Sequence, residues 1–278
     1  MRIFNPPEAR YFSKRFGKRT GASSSSIRAL IQRLPVTTTS VREGTLDFAD
    51  YRDCLLREAE RNYFLALSGY RRALDLMTPA GSAWAHVTLY YASFHAAKSL
   101  MALFGGWVEN NVLVDVAHGT PGRQEFQIRR RLPSIYSGSH QRFWDLFYQG
   151  TSLLVPHIDV RLRFAVQPVS SSITWQIDAR NEVNYSSYDA IKLGADWQLQ
   201  FRARRFPHSL PGKVSTQFSV SQGILLITVK FIRELHLTTD ALDSLRPLGK
   251  RRRKIASLIY EATPPLLVRK SRALSMQA

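Results

Sequence analysis

The stretch Ser82-Ala83-Trp84-Ala85-His86-Val87-Thr88-Leu89-Tyr90-Tyr91-Ala92-Ser93-Phe94-His95-Ala96-Ala97-Lys98-Ser99-Leu100-Met101-Ala102-Leu103-Phe104 decides the fold. Thr78, Pro79 and Gly81 break the chain before it, and Gly105-Gly106 closes it. Ser82 reads as its N-cap. Between these stops the apolar residues fall on nearly every side of a helix: Trp84, Val87, Leu89, Tyr90, Tyr91, Phe94, Ala97, Leu100, Met101 and Phe104. A helix that is apolar all round must be covered by other elements. The spacing predicts a helix over 83–104 at the centre of a bundle.

Working outward, Phe48, Tyr51, Leu55, Ala59, Tyr63, Leu67, Tyr70 and Leu74 recur every three or four residues and predict a helix over 47–77. Beyond the central helix, 110–122 reads as a loop with extended character at Val112–Val116. A short basic helix is expected over Arg123–Arg131 and an aromatic one over Gln141–Leu154, with Phe143, Trp144, Phe147 and Tyr148. The alternation Ile158, Val160, Leu162, Phe164, Val166 suits a strand within 156–168. Helices follow over 171–193 and 214–237, the second with a competing strand reading at Ile224–Val229. Thr239 or Asp240 caps a short last helix, and Lys250 opens a helical stretch to Glu261. The resulting class is mainly α: an antiparallel helical bundle over 45–240, with basic segments at 1–44 and 241–278. Pro6, Pro7, the Ser23–Ser26 run, Pro35 and the Thr37–Thr39 run make the first segment read as extended, apart from a short helix over Ser26–Leu34.

Charge sits at the two ends. The 278 residues carry a net charge of +18. Residues 1–44 contribute +7 and residues 246–278 contribute +8, leaving +3 for the rest. Such ends attract polyanions without regard to sequence. The cluster Lys250-Arg251-Arg252-Arg253-Lys254 is the densest phosphate-binding candidate, with a solvated helix face as the plain alternative. RNA, or another nucleic acid, is the partner this balance favours.

Other chemistries are poorly represented. The single cysteine, Cys54, excludes an internal disulfide and fits a reducing, cytoplasmic setting. It lies in a helical pattern as a small core residue. No run approaches the ~20 apolar residues of a membrane span, so no membrane partner is expected. Met1 to Lys18 lacks the apolar core of a secretory signal, although the Arg and Ser content of the stretch to Arg33 suits a transit peptide. The seven histidines are scattered, without zinc-ligand spacing. There is no phosphate-binding glycine loop after a strand and no nucleophile elbow. No metal and no cofactor is expected.

The central segment Tyr90-Tyr91-Ala92-Ser93-Phe94-His95-Ala96-Ala97-Lys98-Ser99-Leu100 resembles the tyrosine-pair, phenylalanine-histidine-alanine-alanine helix of HEPN domains. The later Arg180-Asn181-Glu182-Val183-Asn184-Tyr185 resembles the second signature of that family. His118-Gly119 lies between them, where the family often has a histidine-containing loop. The resemblance spans about residues 47–240. It implies a helical bundle, often a homodimer with its cleft between subunits, acting on RNA as a toxin or defence effector. It also implies metal-independent cleavage by transesterification. In the family's catalytic members the second motif ends in histidine, where this chain has Tyr185. A non-catalytic module that binds nucleic acid, or a partner protein in a defence or toxin–antitoxin complex, is therefore the alternative.

Such cleavage needs a base for the 2′-hydroxyl proton, donors for the phosphate and an acid for the leaving oxygen. Arg180 suits the phosphate, since guanidinium is planar, permanently charged and bidentate. Asn181 suits a phosphate oxygen or a base edge. Tyr185, with an ordinary pKa near ~10, is a poor base at neutral pH. His95 or His118 is then left to supply the titrating group. Helical spacing puts Asn181, Tyr185 and Tyr188 on one face and Arg180 beside it, so Arg180 and Tyr185 diverge. His95 also reads as a satisfied core histidine, Arg180 as an ion-pair residue and Tyr185 as a core aromatic.

Overall fold

A computed structural model describes residues 1–14, 27–76, 81–109, 112–130, 138–167, 174–185 and 212–235. They are mainly helical, with one small antiparallel sheet. In chain order the elements are α1 (Pro6–Ser13), α2 (Ile27–Arg33), β1 (Ser40–Arg42), α3 (Leu46–Asp75) and α4 (Ser82–Leu103). There follow β2 (Trp107–Glu109), β3 (Val112–His118), β4 (Glu125–Arg130) and α5 (Ser139–Thr151). Two short 3-10 helices come next, Ser152–His157 and Val160–Ala165, then α6 (Trp175–Tyr185) and α7 (Gly212–Glu234).

The central helix is where its composition puts it. Leu89, Tyr90, Ala92, Ala96, Ala97 and Leu100 are fully buried. Gly81, not Ser82, holds the N-cap position, and no side chain caps it. Helix α3 runs antiparallel to α4: Gly69 faces Ala92, Asn62 meets His95, and Ser99 Oγ donates to the Ala59 carbonyl at 2.6 Å. Helix α7 runs parallel to α4, since Ser221 pairs with Ser93, Thr228 with Ala96, and Phe231 with Phe104. The strand reading of Ile224–Val229 gives way to helix. Val220, Ile224, Ile227 and Phe231 share one wholly buried face at helical spacing, and that burial outweighs β-branching.

Three readings of the sequence change. The stretch before residue 45 is no loose lead where it is described. Asn5 caps α1 reciprocally with Glu8, and Pro6 and Pro7 occupy the first helical positions, where a missing N–H loses nothing. Phe4 and Phe12 then meet Phe126 edge-on in the core, Phe12 also meets Phe48 edge-on, and Phe48 stacks on Phe126. Helix α2 matches the short helix expected there, with Ile27, Leu30 and Ile31 buried. Arg130 holds its end by donating to the carbonyls of Ile31, Pro35, Val36 and Thr38.

The basic helix expected over Arg123–Arg131 is strand β4. Its true period is two: Phe126 and Ile128 point inward while Gln127 and Arg129 are exposed. The sheet order is β1-β4-β3-β2, with Val41 opposite Phe126 and Val114 opposite Ile128. Conversely, the strand expected within 156–168 is 3-10 helix. Ile158 and Val160 would share a strand face, yet one is buried and the other 70% exposed.

Gly105 links α4 to β2 at φ +86°, a conformation that side chains disfavour. A Cβ there would meet the Phe4 ring at 2.8 Å, so the turn, the N-terminus and the core are locked together. Among the described residues no helix is long and apolar enough to cross a membrane.

Candidate functional site

Two of the expected residues converge on one side of α4. Arg180, from α6, lays its guanidinium over the Tyr90 ring at 4.9 Å from the centroid, within cation–π range. Asn181 faces its neighbour rather than a ligand: its Oδ1 accepts from Arg180 Nε at 3.2 Å and from Nη2 at 2.7 Å. Asn181 is thus an orienting group for Arg180.

His140, at the start of α5, completes the cluster and was not anticipated. Its ring stacks on Phe94 at 4.5 Å and 16°. Its Nδ1 lies 2.6 Å from the Tyr90 hydroxyl, which also accepts from Trp144 Nε1 at 3.4 Å. Trp144 can only donate, so the Tyr90 oxygen accepts there while its proton is free to point at His140 Nδ1. With the proton on Tyr90, a neutral His140 carries its own on Nε2, as a donor. Burial first, then the charges of Arg180 and Lys98, hold its pKa below the ordinary 6.5. Burial likewise pushes the Tyr90 phenol up to about 12.

His95 has the opposite tautomer. Asn62 Nδ2 donates to the Glu58 carbonyl at 2.8 Å, which turns its Oδ1 toward His95 Nδ1 at 2.9 Å. His95 Nδ1 therefore carries the proton, and Nε2 is left as an acceptor. Burial, with Lys98, Arg61 and His140 as further causes, lowers its pKa to about 4. Both histidines are uncharged at neutral pH. They border the same ring, His95 at 5.9 Å from Phe94 and His140 on its face. His140 thus lies between a fixed cation, Arg180, at Tyr90 and a second imidazole, His95, at the edge of Phe94.

The remaining expected residues lie elsewhere. His118 ends β3, exposed and opposite Glu125. It lines an open hollow with Arg42, Arg123 and Gln124, and no residue of the Arg180 cluster lines that hollow. Tyr185 ends α6, but its side chain lies outside the described residues, as do Lys250, Arg251, Arg252, Arg253 and Lys254. Among the described residues no group of histidine, cysteine and carboxylate side chains is placed to hold a metal ion. Cys54 is buried, and burial raises its thiol pKa.

His140 was hidden because the expected aromatic helix began one residue after it. Nothing in its neighbours marks it, and its partner Tyr90 is fifty residues away. Compared with known proteins, the chain matches no family model, no curated protein and no solved structure.

Proposed function

We propose that the chain is an RNA-directed effector that cleaves RNA without a metal ion, at the cluster around Tyr90. The observation that carries this reading is Arg180 beside neutral His140 at Tyr90, with neutral His95 bordering the same Phe94 ring as His140. His95 Nε2 takes the proton of the 2′-hydroxyl, and the freed oxygen attacks the adjacent phosphorus. Arg180 neutralises the phosphoryl oxygens as charge builds on them. His140 Nε2–H hydrogen-bonds the departing 5′-oxygen, which takes up, through water, the proton that His95 removed, leaving a 2′,3′-cyclic phosphate and both imidazoles neutral again. The basic ends hold the strand, and the resemblance to HEPN domains supports a bundle, a homodimer and a toxin or defence setting.

A second reading also has an observation behind it. Arg180 already spends Nε and Nη2 on Asn181, and a pKa of about 4 makes His95 a weak base. These features suit a non-catalytic module that docks nucleic acid or a protein partner. The test is a pair of oligonucleotides of one sequence, ribo and deoxyribo, incubated with the full chain in EDTA. Cleavage of the ribo strand alone, ending in a cyclic phosphate, is the expected result. Salt-sensitive binding of both strands with no cleavage selects the second reading.

A further inference from the structure

Trp84 is 66% exposed and Tyr91 42% exposed, although they belong to the most apolar helix of the chain. Among the described residues neither ring face is covered, although Tyr91 meets Tyr90 edge-on. Their positions are ordered. Trp84, Tyr91 and His95 fall at i, i+7 and i+11, within about 40° of one line along α4. Thr88 lies between them and returns its hydroxyl to the Trp84 carbonyl at 2.6 Å, so it offers no bulk to fill the gap. Tyr91 also touches the cluster edge-on, 6.3 Å from the His140 ring. The stripe therefore runs to the histidine edge of the cluster, at His140 and His95.

We infer that Trp84 and Tyr91 form a stacking track for the unpaired bases of a single strand that enters the site along α4. This rests on the reading of Arg180 as the phosphate-binding group. Seven helical residues separate the rings by about 10 Å along the axis, enough for two bases with one nucleotide passing between. Every base has a π-face, so such a track accepts any sequence and rejects a duplex, whose bases are already stacked. Charge agrees with this occupant: Lys98 stands beside the line with its ammonium over Phe94 and Trp107, and Arg180 lies over Tyr90, about a third of a turn round α4. Arg61, paired with Glu58, adds to the positive field at His95.

The test is binding of the full chain to three strands of equal length: a single-stranded RNA, its duplex, and a strand of abasic sites. Trp84→Leu and Tyr91→Leu keep apolar bulk without a π-face, and Trp84→Phe restores one. Each Leu variant is expected to weaken the base-bearing single strand at least about fivefold, with Trp84→Phe close to wild type. The abasic strand is expected to bind all variants alike, since it feels only charge. Equal affinity of wild type and both Leu variants for the base-bearing strand overturns the track. So does a loss as large on the abasic strand, which marks a change of charge or folding. Arg180→Ala separates the two claims. If it leaves binding and cleavage intact while Trp84→Leu weakens base binding, the track stands and the proposed site falls. If Arg180→Ala abolishes cleavage while bases and abasic sites bind alike, only the track falls.

Discussion

The Tyr90 hydroxyl lies 2.6 Å from His140 Nδ1, joining α4 to α5 across fifty residues. Trp144 donates to the same oxygen from behind. Replacing Tyr90 with Phe leaves a buried indole N–H without its acceptor, at a cost of about 1–3 kcal/mol. It also removes a donor that favours neutral His140, so the His140 pKa moves up toward its ordinary value. Urea unfolding and a histidine NMR titration of Tyr90→Phe check both effects. An unmoved titration contradicts the direction of the hydrogen-bond chain.

Stability falls as the solution turns acidic, and His95 is one cause. Its folded pKa of about 4 lies below the 6.5 of the free side chain. The unfolded chain therefore binds the proton first. The stabilisation is fully present above pH 6.5, declines as pH falls, and is gone once the folded form also protonates near pH 4. His140, shifted in the same direction, adds to the slope. Unfolding free energy measured between pH 4 and 7 should fall less steeply for His95→Gln than for wild type. Parallel slopes contradict the assignment.

Phe4 is wholly buried against Phe12 and Phe126 and lies 2.8 Å from where a Gly105 side chain would begin. Phe4→Ala should destabilise the protein by about 3–5 kcal/mol, read as a lowered denaturation midpoint of the whole described body. An unchanged midpoint is the outcome expected of a loose N-terminal lead, and it contradicts the packing.

Much of the helical fold was legible in the sequence because burial imposes a period. The stripe from Phe48 to Leu74 and the all-round apolar run from Trp84 to Phe104 each admit one reading. The errors have local causes. Pro6 and Pro7 read as breakers, whereas Asn5 and Glu8 around them spell a helix start. The basic side chains of Arg123, Arg129 and Arg130 suggested a solvated helix and masked the two-residue alternation of Phe126 and Ile128. The alternation from Ile158 to Val166 was real but short, and 3-10 turns satisfied its backbone instead.

The site was legible only in part. Arg180 and His95 stood out through their motifs, and the structure brings both to α4. His118 attracted notice by its place between the motifs, yet the strand that carries it leads to another surface. His140 had no signal of its own, because its role comes from Tyr90, Phe94 and Trp144 meeting it in space.

Arg180 offers the most direct test. RNA cleavage in EDTA is followed for wild type, Arg180→Ala and Arg180→Lys, over a range of protein concentrations. Removing a charge-stabilising donor of this kind lowers the rate by about 10²–10³-fold. Lysine should rescue poorly, since it lacks the planar fork that Asn181 orients. Loss of cleavage in Arg180→Ala, with the fold and the binding by the basic ends retained, is the predicted result. Cleavage at the wild-type rate in Arg180→Ala contradicts the assignment of the site.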